Sequence, residues 1–297
     1  MWECKLKFRF FFLLLIAYVQ IGEARMMDPG AIDWKSLQFT CTKEQNPEFD
    51  AESDAWFQRA RALEKANKEA NDAEMIRLYQ QAAERGHYKA MLNLSIIYAH
   101  GRGVAVDRRK ALKLVEKAME MQSAHAYYLM GIMLEQGVGV RMDAKAALSY
   151  FRKSADMGNR YGQAAVGESL MRAFQQQAEP ARSRGKAIGR QVLDCAIAQG
   201  SAESAYSLGL DYMIVERDPL AGLAYFQKAA SLGSKESMWM LYEIYDRGRD
   251  GIARDPKRAA CYYALFDQLR HEPNKLFPDI DRFCTLSPPA PIMDLVD

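Results

Sequence analysis

Apolar positions along this chain recur with the period of a helix and, on a longer scale, with the period of a helix pair. In Ala126-Tyr-Tyr-Leu-Met-Gly131-Ile-Met-Leu, small residues at the first and sixth places allow close helix approach, while Met130 and Leu134 fill the gap. Thirteen residues after Leu134, Ala147 opens one apolar stripe of a second helix with Leu148, Phe151 and Ala155. Gly137-Val-Gly139 lies between them and supplies residues able to take positive φ where the first helix must stop. Val140 is placed to plug the turn, and Asp143 to cap the second helix through its carboxylate. Ala90, Gly101, Gly103, Val104, Asp107, Ala111 and Leu112 return 36 residues later as Ala126, Gly137, Gly139, Val140, Asp143, Ala147 and Leu148. A looser copy runs from Ser237 through Leu241, Tyr245, Gly248, Gly251 and Asp255 to Ala259. Repetition of both helix periods and loop glycines predicts an all-α solenoid of about five to six helix pairs.

The pattern resembles the Sel-one-like repeat, a relative of the tetratricopeptide repeat, and the resemblance implies a right-handed superhelix. It covers an array over residues 72–271. Two units depart from it: one replaces its Gly-x-Gly loop by an irregular insert at about 174–190, and another is shortened between Asp211 and Asp218 with no glycine. Ahead of the array, 50–71 reads as a capping helix entered through an extended segment, 25–49. Behind it, 272–297 reads as a rigid Pro-rich tail that cannot be helical, carrying Phe277-Pro278 and Ser287-Pro288-Pro289-Ala290-Pro291.

Composition changes the picture mainly at the N-terminus. Lys5, Lys7 and Arg9 precede ten unbroken apolar residues, Phe10 to Val19, and Gly22-Glu23-Ala24 suits a signal peptidase. Residues 1–24 are therefore expected to be a secretory signal cleaved after Ala24, since a bilayer span needs about 20 apolar residues. Cleavage removes three basic and two acidic residues and leaves 37 against 36, a nearly neutral exported chain with no stable membrane insertion. That balance offers no electrostatic footprint for nucleic acid.

Export gives the cysteines a structural meaning. Cys41, Cys195, Cys261 and Cys284 remain after cleavage and allow three pairings. Cys261 and Cys284, nearest in sequence, are the expected bridge, clipping the tail to the body. Cys195 lies in the apolar stretch Val192-Leu193-Asp194-Cys195-Ala196-Ile197 and reads as a buried small hydrophobe. No catalytic constellation emerges: there is no Gly-x-Ser-x-Gly, Ser-x-x-Lys, His-Glu-x-x-His or phosphate loop, and no two of His87, His100, His125 and His271 share a helical metal-ligand spacing. Neither an enzymatic activity nor a cofactor is expected.

A helical array without reactive groups offers surface for another protein. By the repeat resemblance, the fourth, eighth and eleventh positions of each first helix point away from the second-helix layer. They are Asn93, Ile97 and His100; Leu129, Met133 and Gln136; Met240, Ile244 and Arg247. Trp239 and Met240 are the expected apolar anchor, with Glu243 and Arg247 setting register at the rim. Arg182, Arg184, Lys186 and Arg190 form a basic run on the insert. Phe39-Thr-Cys41-Thr, the stretch Glu52-Ser-Asp-Ala-Trp-Phe-Gln-Arg-Ala-Arg61, Gly86-His87-Tyr-Lys-Ala-Met-Leu-Asn-Leu94 and Ile280-Asp-Arg-Phe-Cys284 together resemble a group of periplasmic immunity proteins. These are encoded beside phospholipase D effectors of the type VI secretion system. The resemblance implies a periplasmic protein that binds a secreted phospholipase effector and blocks it; a periplasmic scaffold or regulatory adaptor is the alternative.

Overall fold

The computed structural model describes residues 32–286, so the expected signal at 1–24 and the proline cluster at 287–291 lie outside the described residues. Among the described residues there is no strand, and no helix is long and apolar enough to cross a membrane. Six antiparallel helix pairs follow one another. They are α2 (Ala51–Ala66) with α3 (Asp72–Glu84), α4 (Tyr88–His100) with α5 (Arg108–Glu120), and α6 (Ala124–Gln136) with α7 (Ala144–Asp156). Next come α8 (Arg160–Gln175) with α9 (Ala181–Ala198), α10 (Ala202–Leu210) with α11 (Pro219–Ser231), and α12 (Lys235–Arg247) with α13 (Pro256–His271). One-turn helices α1 (Trp34–Leu37) and α14 (Ile280–Phe283) belong to the two end segments. The second helix of each of the first five pairs also packs on the first helix of the next pair, which makes the chain a solenoid.

Local chemistry sets each boundary. Four of the six second helices start at an aspartate: Asp107, Asp143, Asp218 and Asp255 accept from the backbone N–H three residues on. The first helices after α2 start instead at His87, Ser123, Asn159, Ser201 and Ser234, whose side chains also accept from first-turn N–H groups. Gly139 shows why a loop glycine is needed. At φ +74, a Cβ there would also lie 2.5 Å from the Arg108 carbonyl oxygen of the preceding unit.

Two expectations are corrected by the tertiary structure, those for the insert and the tail. The insert is helical almost throughout, because α8 and α9 are lengthened and only 176–180 is loop. Gly167 and Gly189 let their backbones meet: a Cβ on Gly167 would sit 2.6 Å from Leu193, and one on Gly189 3.1 Å from the Gly167 carbonyl. In the shortened unit, Asp211–Glu216 forms a π turn, ended by Arg217 in the left-handed region. The tail is not wholly extended either, since Ile280–Phe283 is helical once Pro278 is passed.

The end segments are straps laid back over the array. Phe39 is buried with Phe151, Val166 and Val192, between α7, α8 and α9. Trp34 stacks on Phe174 at 5.5 Å, and Arg152 donates to the carbonyls of Ser36 and Gln38. Cys41 is bonded to Cys195 with Cα atoms 5.6 Å apart, so Cys195 is buried as expected but is half of a cystine. At the other end, Phe277, Ile280 and Cys284 pack on the last two pairs, and Cys261 is bonded to Cys284. The Cys284 carbonyl accepts from Gln227 and from the Tyr262 hydroxyl.

Candidate partner-binding surface

Position along a helix decides which predicted residues reach solvent. Ile97, Met133 and Ile244 are buried, at 4%, 6% and 0% exposure, which removes Met133 from any binding face. The eighth position stands three residues from the core-facing fifth, hence on the same apolar stripe as Leu94, Met130 and Leu241. His100 and Gln136 are exposed at helix ends beside the loop glycines, while Leu129 is half-buried in the core of the first three pairs. Gly101, Gly103 and Gly137, like Gly139, have positive φ and close their loops.

The expected basic run is not a free patch. Arg182 pairs with Glu179 at 2.7 Å, and Arg184 lies over the Trp34 ring at 4.3 Å. Lys186, at 3% exposure, is held with Arg190 by Asp211 and Glu216 of the π turn. Hydrogen bonding from Lys186, reinforced by Arg190, holds the Glu216 carboxyl below the usual carboxylate range. Four alternating charges thereby dock the turn onto α9 and leave Ile214 and Val215 facing outward.

Trp239 and Met240 separate onto two faces. Trp239 and Tyr263, both exposed, join the half-buried Tyr242 and Phe266 in an aromatic patch with ring centroids 5.1 to 6.2 Å apart. Met240 lines a different cleft, of about 620 Å³, with Met213, Ile214 and Phe226 on its walls and Arg217 and Arg249 at its edge. Glu243 and Arg247 pair with each other at 3.1 Å.

A groove of about 500 Å³ lies where α4, α6 and α8 begin, bounded by α2 and by Glu44 and Asn46 of the N-terminal strap. Of the predicted residues it contains Asn93, whose amide donates to the Tyr79 hydroxyl at 2.9 Å; that hydroxyl in turn donates to Glu64 at 2.7 Å. Sequence reasoning missed Tyr88, Lys89, Ile96, His125, Arg160 and Tyr161, which also line it. Several sit in or beside the first turn of a first helix, so the repeat register could have found them had those positions been read in place of the fourth, eighth and eleventh. Burial first, then the Arg160 charge, pushes His125 down to about 4, so its imidazole is neutral at pH 7. Among the described residues no three His, Cys, Asp or Glu side chains are grouped to hold a metal ion.

Three solved structures from Pseudomonas aeruginosa share this architecture. Immunity protein Pa5087 aligns with TM-score 0.69 and 29% identity, the protein PA5086 with 0.68 and 30%, and immunity protein PA5088 with 0.70 and 28%. Each alignment covers 84% of this chain and 95% of the other. The search of curated proteins finds no match. The Sel1 repeat family matches residues 71–87, on α3, and 89–123, 124–159, 200–234 and 236–265, each on one helix pair, with no segment on the lengthened α8 and α9. The chain is a member of the Sel1 repeat family.

Proposed function

We propose that this chain is an immunity protein that neutralises a toxic effector by stoichiometric binding in the periplasm, the effector being a phospholipase D-like enzyme delivered by type VI secretion. The observation that carries this reading is the likeness, along nearly their whole length, to the immunity proteins Pa5087 and PA5088. Two disulfides, each tying an end segment to the array, suit an oxidising compartment and support action outside the cytoplasm. Inhibition then works by coverage: the groove at the helix starts and the aromatic patch around Trp239 supply polar recognition and apolar area, and the bound array keeps lipid from the effector's active site.

The test is titration of the purified protein into the phospholipase effector encoded beside its gene. Activity is expected to vanish at about one to one, the signature of tight stoichiometric binding. Cells lacking the protein are expected to lyse only when the effector reaches their periplasm. Full effector activity in excess protein would overturn the reading and favour a scaffold.

A further inference from the structure

The groove at the helix starts carries a polar group that folding leaves unfinished. Tyr88, in the first turn of α4, is 1% exposed and lines the groove, yet its hydroxyl has no hydrogen-bond partner within the described residues. A buried donor without an acceptor is disfavoured, so such a group at a groove wall points to an acceptor from outside. Burial, then the neighbouring Glu44 charge, pushes its phenol up, which keeps the proton available for donation.

Two cations belong to the same groove. The Lys89 ammonium lies 5.4 Å from the Phe49 ring centre and 5.7 Å from that of Tyr88. The Arg160 guanidinium stacks on Tyr161 at 4.9 Å, donates to the Tyr161 hydroxyl, and otherwise reaches the Gln199 and Gly200 carbonyls. Neither has a carboxylate partner among the described residues, unlike Arg61 on the same wall, which pairs with Glu64. Glu44 is the one acid lining the groove, and it accepts from Asn159 at 3.1 Å.

We infer that the groove takes an acidic segment of the partner protein, with one Asp or Glu carboxylate accepting from the Tyr88 hydroxyl, flanked by Lys89 and Arg160, and an adjacent apolar side chain resting on Ile96. A chain segment fits better than a small anion because the positive groups come from α4 and α8, two units apart, and Ile96 is 47% exposed at the same groove. That the partner is a toxin rests on the immunity reading; the preference for carboxylates rests on the groove.

The experiment compares two dansyl-labelled short peptides, one alternating Glu and Leu and the other Gln and Leu, binding to the full oxidised protein. The Glu peptide is expected to bind about tenfold more tightly, and K89E/R160E to abolish that preference. Y88F is expected to weaken the Glu peptide several-fold while leaving the melting temperature unchanged or raised, the opposite of what a structural hydroxyl would do. In the effector titration, K89E/R160E is expected to raise the dissociation constant by about tenfold or more. Equal affinity for the two peptides, a preference that survives in K89E/R160E, or displacement of the Glu peptide by about 10 mM inorganic phosphate would overturn the inference, the last by making this a small-anion site. Effector binding unchanged by K89E/R160E would overturn it too and leave the immunity reading standing. If the effector does not bind the unaltered protein, the immunity reading falls and the peptide comparison alone decides the groove.

Discussion

His125 shows how a single position can carry a pH dependence of stability. Its ring meets Tyr161 edge-on at 5.2 Å and Tyr128 at 5.8 Å, with Arg160 close by. The folded-state value of about 4 lies below the ordinary 6.5, so between those values the unfolded chain binds a proton that the folded one does not. Stability is therefore lost as pH falls from 6.5 towards 4 and the loss levels off below, amounting to roughly 2–4 kcal/mol. Urea unfolding at pH 7 and 4.5 is expected to show this decline, and His125→Gln to flatten it. Glycines separate two other effects at the same scale. Gly139 at φ +74 faces the Arg108 carbonyl, whereas Gly251 at φ +77 has nothing within 4 Å of where a Cβ would be. G251A is expected to cost about 1 kcal/mol for backbone conformation alone, and G139A about 2 kcal/mol or more because a clash is added. Equal losses in thermal melts would remove the packing argument.

Between elements, the departures from the repeat are held by specific bonds. The π turn at Asp211–Glu216 stands where the second, third and sixth pairs have a glycine loop, and its two acids clasp Lys186 and Arg190 on α9. Lys186→Met would leave two carboxylates facing Arg190 alone and is expected to destabilise by about 3 kcal/mol in denaturant titration. By sequence Lys186 belongs to a basic run on the insert, and only its closeness to the π turn in space shows it to be held by two carboxylates. The straps are likewise held across the array. Chain-entropy arguments give upper values of about 5 kcal/mol for a loop as long as Cys41–Cys195 and about 3.5 kcal/mol for Cys261–Cys284. Paired Cys→Ser variants are expected to preserve that order in urea midpoints.

At the scale of the molecule, a solenoid joins each unit only to its neighbours, so its cooperativity is fragile. The N-terminal strap alters this, because it leaves the start of α2 in the first pair and is bonded to α9 in the fourth. Its Thr42 and Glu44 also engage the corners at Asp156, Asn159 and Gln199. Calorimetry of the oxidised protein is expected to give one sharp unfolding transition, and reduction to broaden or divide it. One sharp transition under both conditions would show that nearest-neighbour packing is sufficient by itself.

The helix pairs, their order, their caps and the loop glycines are determined by the sequence alone, because they depend on contacts within about forty residues and on a period that repeats. Asp143 reads as a cap from its place before an apolar stripe, and so it acts. The Cys41–Cys195 bond, the seat of Phe39 and the cage around Lys186 join residues 25 to 154 apart, and no local pattern encodes such distances. The groove is decided the same way: Tyr88, Lys89 and Arg160 are ordinary helix-start residues in sequence, and only the stacking of units and the return of the strap set them around one cleft.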